Sequence, residues 1–314
     1  MAKQTRLVPA ARPFLKWAGG KTQLLDEFAK RLPVELNGNK ITKYVEPFIG
    51  GGAVYFYLNR NFSFENCYIC DVNEELILTY RVIQKSVKKL VAELETLQAD
   101  YLAKSEENRE EFFYEIRDAF NQNLPGINFR KYSSAWIERA ARIIFLNRTC
   151  YNGLFRVNRN GEFNVPFGNY RNPDILNEEN LKDVATLLKK TKILSGDFTQ
   201  CGKFVDPHTF VYFDPPYRPL NQTSSFTSYS KDGFSDTDQL RLVEFFEELD
   251  AKGAKIMLSN SDPRNENPCD TFFDDLFPEF YIERVPARRR INCNGSRRGN
   301  INELIITNYP QEKP

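Results

Sequence analysis

The sequence predicts an α/β fold: a parallel sheet interrupted by an inserted module of helices and a hairpin. Three observations predict it. Short apolar runs are twice followed by helical patterns near the start of the chain, in KYVEPFIGGGAVYFYL (43–58) and CYICDVNEELILTYRVIQ (67–84), which is the rhythm of βαβ units. From about residue 85 to 180 that rhythm stops and charged helical patterns take over. Apolar strand segments then resume at KILSGDF (192–198) and FVYFDPPY (210–217).

In chain order, TQLLDEFAKRL (22–32) carries apolar residues at helical spacing, and residues 43–58 read as strand, glycine turn and helix. CYICD is a short apolar strand ending in Asp71, with a helix behind it. SVKKLVAELETLQADYLAKSEENREEFFYEIRDAF is charged and helical, and SAWIERAARIIFLNRTC starts as another helix. NGLFRVNRNGEFNVPFGNY reads as a hairpin around Asn160-Gly161, a pair that suits a type I′ turn. SDTDQLRLVEFFEEL follows as a helix opened by Asp236 to Asp238. AKIMLSN (254–260), YIERV (281–285) and NELIITNY (302–309) supply further strands.

The 314 residues are 41% hydrophobic and 27% charged, an ordinary globular composition long enough for a large domain carrying an insertion. A net charge of +1 decides nothing about polyanionic partners; the distribution has to. No apolar run is long enough for a membrane span, so a cytoplasmic, soluble protein without membrane contact is expected. Of six cysteines, Cys67 and Cys70 form a C-x-x-C that no second pair completes, so they read as core thiols and no metal is expected. The single histidine, His208, leaves Ser-His-Asp and Cys-His chemistry without a base unless it supplies one.

KWAGGKT (16–22) looks like a phosphate loop but is not one. The P-loop pattern needs a glycine five positions before Gly20, and Leu15 stands there. The sharpest motif is Asp214-Pro215-Pro216-Tyr217 after the apolar run FVYF. Ligands of parallel sheets bind at carboxyl ends of strands, and two prolines stiffen such a turn. The arrangement suits methyl transfer to an exocyclic amine. The N6 lone pair of adenine is delocalised; Asp214 and the Pro215 carbonyl can accept from the NH₂, and Tyr217 can stack on the base. EPFIGGG (46–52) is a glycine turn allowing close approach of a ligand, without the dinucleotide fingerprint. Asp71 is placed to bind ribose hydroxyls, and Asp197 with Phe198 to hold and cover an adenine, while each acid taken singly also fits an ordinary turn or helix cap. Together these features describe a site for an adenosine-containing cofactor.

FLKWAGGK, YVEPFIGGGAVYFYL, DVNEELI, YNGLFRVNRNGEFNVPFGNY, GDF, VYFDPPY and ELIITNY occur in this order over nearly the whole chain. This resembles the Dam-type N6-adenine DNA methyltransferases (D12 class, alpha group), and within them the DpnM-like methylases of GATC-specific restriction systems, which also share SSFTSYSKDGFS and MLSNS. The resemblance implies a Rossmann-like methyltransferase sheet with an antiparallel last strand, and S-adenosylmethionine as donor. It implies a catalytic domain of residues 1–80 and 181–314 and a target-recognition domain of 81–180. Carried over, Trp17, Ala18, Gly19 and Lys21 contact the donor, with Lys21 near its carboxylate. Glu46, Phe48, Gly50 and Gly51 wrap its methionine part, Asp71 binds the ribose, and Asp197 with Phe198 the adenine. Asp214, Pro215, Pro216 and Tyr217 form the target-base pocket, with Asp214 also facing the donor.

The partner implied is double-stranded DNA, whose target base must be flipped from the stack at a cost of a few kcal/mol. In the hairpin, Tyr151 and Asn152 stand at the entry, Leu154 is placed to wedge and Arg156 to read guanine. Lys16, Leu154, Arg156, Pro166 and Tyr170 match residues that help read GATC in the family, and Asn158 lies on the same hairpin. RVPARRRINCNGSRRGN (284–300) holds six arginines and no acid, and reads as a loop on the phosphate backbone through Arg288, Arg289, Arg290, Arg297 and Arg298. Competing expectations are a methylase of another adenine site, a catalytically idle DNA-binding module and an RNA methyltransferase. A cognate restriction endonuclease acting on the same site and a monomer or weak dimer complete the expectations.

Overall fold

The computed structural model describes residues 10–218, 234–288 and 300–311. Seven strands, β1 (Lys43–Glu46), β2 (Asn66–Asp71), β3 (Thr191–Ser195), β4 (Thr209–Phe213), β5 (Lys255–Ser261), β6 (Tyr281–Arg288) and β7 (Asn300–Thr307), form one sheet in the order β3-β2-β1-β4-β5-β7-β6. β1 pairs parallel with β2 and β4, and β4 with β5; β7 pairs antiparallel with both β5 and β6. The predicted α/β class holds, including the reversed last strand. The helices are α1 (Leu25–Ala29), α2 (Ala53–Asn61), α3 (Glu74–Ala103), α4 (Glu106–Gln122), α5 (Ala135–Thr149), α6 (Glu178–Leu188), α7 (Asp236–Ala251) and α8 (Phe272–Leu276).

The chain divides into two compact units. One comprises Lys21–Ile49, Phe62–Val72 and Gly196–Pro314; the other comprises Met1–Gly20, Gly50–Asn61 and Asn73–Ser195. In the first unit β4 is buried at every position, as a central parallel strand covered on both faces must be. Its Phe213 packs on Phe245 and Phe246 of α7, and its Tyr212 on Phe28 of α1. α7 starts on a capping box: the Ser235 side chain accepts from the Asp238 amide, and Asp238 accepts in return from Ser235. Cys67 and Cys70 are buried thiols of β2, in the packing role expected of them. His208 serves a turn before β4: its Nδ1 lies 3.0 Å from the Lys40 carbonyl and its amide donates to Asp206.

In the second unit α3 runs for 30 residues, broken only at Ser86, whose φ/ψ of −144°/35° is not helical. Asn73 caps it by accepting from the Leu76 amide. α3 packs along α5 around Tyr101, Phe113, Phe120, Trp136 and Phe145, all essentially inaccessible to solvent. Arg139 of α5 is buried with them. Its guanidinium meets both oxygens of Glu75, at 3.0 and 2.8 Å through Nε, and donates to the Phe120 carbonyl. Burial pushes the Glu75 carboxyl up and Arg139 works against that.

The structure departs from the sequence reading in three respects. The hairpin tip is not a type I′ turn: Gly161 has φ +83°, but Asn160 does not adopt positive φ. The Gly161 amide reaches the Asn158 carbonyl and the Asn158 amide the Glu162 carbonyl, a three-residue loop closed by a glycine bulge. The basic segment begins as strand rather than loop, because β6 continues to Arg288 through Pro286. Finally, residues 178–188 and 272–276 form helices, α6 and α8, where no element was expected.

Candidate active site and nucleic-acid interface

At the carboxyl end of β4 the chain turns through Asp214, Pro215, Pro216 and Tyr217. Asp214 Oδ1 lies 2.8 Å from the ammonium of Lys21, a lysine only 4% exposed. The same oxygen is 3.4 Å from the hydroxyl of Ser259, which in turn bonds Tyr212 at 2.8 Å. Burial pushes the Asp214 carboxyl up; Lys21, by charge and by hydrogen bond, and Ser259 hold it down. Tyr217 donates to Glu303 Oε2 at 2.6 Å, and the Lys21 ammonium sits 4.5 Å from its ring centroid. Burial raises the Glu303 carboxyl as well, against the pull of Lys21. One carboxylate thus pairs with a buried cation, and a second, which feels the same charge, holds the tyrosine beside it.

The same unit carries five more of the residues singled out in the sequence. Glu46 ends β1 fully buried and accepts from the Tyr44 hydroxyl at 2.7 Å. Phe48 pairs with Phe198, centroids 5.3 Å apart at 32°. Asp71 ends β2, and its carbonyl accepts from the Gly196 amide at 3.0 Å, which ties the Gly196-Asp197-Phe198 turn to that strand end. Asp197 is already engaged. One oxygen caps the following turn on Thr199, and the other pairs with Arg241 of α7 at 2.9 Å. Burial raises its carboxyl, but the bonds from Thr199 and Arg241 win and hold it below the usual range. The Arg241 guanidinium also lies 5.2 Å from the Phe198 ring centroid.

In the other unit Trp17 lies against the glycines of EPFIGGG. A Cβ on Gly50, whose φ is +45°, would meet the indole at 3.1 Å, and one on Gly51 would meet Trp17 Cβ at 3.0 Å. The glycines are therefore needed for close packing of this tryptophan. Trp17 also stacks on Phe155 at 5.3 Å and 22°. Ala18 and Gly19 follow as exposed residues.

The hairpin is assembled beside Lys16 in this unit. Asn147 of α5, 1% exposed, clasps the Lys16 backbone on both sides at 2.8 Å and donates to the Gly153 carbonyl. Gly153, at φ +63°, faces Lys16 so closely that a Cβ would come within 2.3 Å of its side chain. The Lys16 ammonium lies 4.8 Å from the Tyr170 ring centroid, and the Tyr170 hydroxyl accepts from the Asn152 amide. Tyr151 donates its amide to the Pro166 carbonyl. Leu154 is half-buried, while Tyr151, Arg156 and Pro166 are exposed. Arg156 is steadied by Asn164, and the Asn158 side chain holds the hairpin tip through Asn160 and Glu162. Lys16, Tyr151, Asn152, Leu154, Arg156, Pro166 and Tyr170 are thus gathered on one framework.

Of the basic segment, Arg289, Arg290, Arg297 and Arg298 lie outside the described residues, as does most of SSFTSYSKDGFS. The backbone of Arg288 ends β6. Arg284 is a strand residue ion-paired with Asp262 and Asp274. Sequence reasoning missed Ser259, Glu303, Arg241 and Asn147. For Glu303 a signal existed: it is the one charged residue in the strand segment NELIIT. Among the described residues no cluster of His, Cys, Asp and Glu suits a metal ion, and no helix is long and apolar enough to cross a membrane.

Comparison with known proteins agrees with this geometry. Residues 17–291 match the D12 class N6 adenine-specific DNA methyltransferase family. The chain is 52% identical over 299 residues to the Type II methyltransferase M.MjaIII of Methanocaldococcus jannaschii, covering 95% of this chain and 99% of that protein. It is 39% identical over 300 residues to the Type II methyltransferase M1.LlaDCHI of Lactococcus lactis subsp. cremoris, with 95% of each covered. It is 34% identical over 303 residues to the DNA adenine methylase of Salmonella typhi, covering 95% and 96%. With an Asp-Pro-Pro-Tyr turn at the end of a central parallel strand and this match over most of its length, the chain belongs to the D12 class of N6 adenine-specific DNA methyltransferases.

Proposed function

We propose that the protein transfers a methyl group from S-adenosylmethionine to N6 of an adenine swung out of duplex DNA, within the site GATC. The observation that carries this reading is the Asp214 turn: a carboxylate held by a buried lysine, next to a proline carbonyl and a tyrosine ring. Asp214 and the Pro215 carbonyl accept the two amine hydrogens, which draws the nitrogen towards a tetrahedral shape and frees its lone pair. Pro216 stiffens the turn, and Tyr217 stacks on the base. Positioning of this kind supplies much of the barrier reduction in a bimolecular transfer.

The donor set suits S-adenosylmethionine, whose reactive methyl is borne on a sulfonium. Asp71 at the end of β2 is an acceptor for ribose hydroxyls, and the Phe48 and Phe198 rings, tilted at 32°, offer aromatic surface for the adenine. Asp197 serves that adenine only in exchange for one of its present partners. Trp17, Ala18, Gly19, Lys21, Glu46, Gly50 and Gly51 complete the donor contacts by correspondence with the family motifs.

On the DNA side, residues 81–180 form the target-recognition domain and 1–80 with 181–314 the catalytic domain. The hairpin holds the opened duplex; Leu154 wedges, Arg156 and Lys16 read guanine, and Tyr151, Asn152, Asn158, Pro166 and Tyr170 shape the reading surface. Arg288, Arg289, Arg290, Arg297 and Arg298 meet phosphates. The enzyme works in the cytoplasm as a monomer or weak dimer, either beside an endonuclease of the same specificity or as a solitary regulator. Methylation-sensitive sequencing of DNA from a methylation-free host expressing the chain tests the site: modified adenine confined to GATC supports it, and modification elsewhere or none refutes it. Asp214→Ala is expected to abolish transfer while duplex binding persists.

A further inference from the structure

The turn after β4 is held from a second side, by a residue that its own motif does not contain. Glu303 on β7 lies opposite Ser261 of β5 and Val285 of β6, and Ile305, two residues along, lies opposite Ser259. Opposed residues of antiparallel strands share a face of the sheet, and so do residues two apart on one strand. One face of the β5–β7 ladder therefore touches the turn twice: Ser259 at Asp214, 3.4 Å away, and Glu303 at the Tyr217 hydroxyl, 2.6 Å away.

The second contact is the stronger one. A hydroxyl 2.6 Å from a carboxylate oxygen is a short, charge-assisted bond. It ties the far end of the Tyr217 side chain, the end with the longest lever on ring orientation. The Lys21 ammonium occupies one face of the same ring, 4.5 Å from its centroid, so a stacked base has to use the other. A tyrosine loosened at its hydroxyl can rotate its ring away from that plane.

We propose that Glu303 is a positioning residue: through the Tyr217 hydroxyl it fixes the plane on which the target adenine stacks. This rests on the reading of Tyr217 as the base-stacking side chain. Glu303 itself touches neither donor nor base.

The test uses the full chain with a duplex carrying the fluorescent adenine analogue 2-aminopurine at the target position, beside an ordinary duplex for turnover. Glu303→Ala and Tyr217→Phe, which delete opposite ends of one bond, are each expected to lower kcat on the order of tenfold with little change in KM for donor or DNA. The double variant should be no slower than either single variant, because the bond can be lost only once. Glu303→Gln keeps an acceptor oxygen and should restore kcat to near the parent value. Emission of the bound analogue, quenched by stacking, should rise in Glu303→Ala and stay low in Glu303→Gln.

Additive losses in the double variant overturn the proposal. So does a Glu303→Gln variant as slow as Glu303→Ala, since charge towards Lys21 and not the hydroxyl bond would then be what matters. If Glu303→Ala does not fold, judged by its melting and donor binding, Tyr217→Phe against Glu303→Gln decides alone. Tyr217→Ala separates the two layers of argument. A Tyr217→Ala enzyme with unchanged kcat and emission removes the base-stacking reading itself; a slow Tyr217→Ala beside an unaffected Glu303→Ala removes only the positioning role.

Discussion

Replacing Lys21 by methionine keeps most of the side-chain volume and removes the cation 2.8 Å from Asp214. At that distance, and at the effective dielectric constant of about 20 that suits partly buried pairs, the Coulomb attraction is about 6 kcal/mol. Removing one member of a buried pair realises about 3–5 kcal/mol of this, because relaxation and water entry return part of it. The Asp214 carboxyl is already raised by burial, with Lys21 as the main force holding it down. Without the lysine it rises further, so a larger fraction is protonated at any given pH. On the proposed reading a protonated carboxyl offers an O–H where the amine needs an acceptor, so kcat should fall about tenfold, each factor of ten corresponding to about 1.4 kcal/mol. The loss shrinks as pH is raised, because Asp214 ionises again. The assay is transfer of labelled methyl at saturating donor and duplex, from mildly acid to alkaline pH. A Lys21→Met enzyme whose kcat–pH profile overlays the parent, with only donor affinity reduced, refutes this reasoning and leaves Lys21 as a donor ligand alone.

Three further outcomes are expected. Arg139→Met strands the buried Glu75 and should cost about 3–5 kcal/mol in urea unfolding, with Arg139→Met/Glu75→Gln recovering much of it; a loss under about 1 kcal/mol contradicts the packing described. Gly153→Ala both strains a left-handed residue and collides with Lys16, so duplex affinity should fall while donor affinity holds; equal loss of both counts against the hairpin framework. Ser235→Ala should cost about 1 kcal/mol by removing the α7 cap. The bonds from Ser235 hold the Asp238 carboxyl low. A lowered carboxyl adds stability that is present above its unfolded value and lost as pH falls through the folded one, so the difference between variant and parent should narrow in acid to the part owed to the Asp238 amide bond. A pH-independent difference refutes the contribution of the Asp238 carboxylate, and no difference at all refutes the cap.

The parts of the fold legible in the sequence are those encoded locally. FVYF is buried at every position and reads as a continuous apolar run, and Asp214 to Tyr217 are contiguous, so both strand and turn stand out in one window. The hairpin was legible as a hairpin, but its turn type depended on one backbone angle at Asn160 that asparagine leaves open. The extension of β6 past Pro286 was not legible, because a proline reads as a break until the strand is known to be the last of its sheet. Glu303 stands out as an acid, but what it and Asn147 bind was out of reach for a different reason. Their partners are Tyr217, 86 residues away, and Lys16, 131 residues away, and no periodicity records such pairs.

β6 closes the sheet order on one side, and Pro286 lies in the middle of it. A terminal strand is a template on which another copy can add a strand, and a residue with no N–H breaks the row of donors such an addition needs. The strand that flanks β7 is thus a poor template for self-association. Restoring a donor with Pro286→Val would expose that hazard as concentration-dependent light scattering.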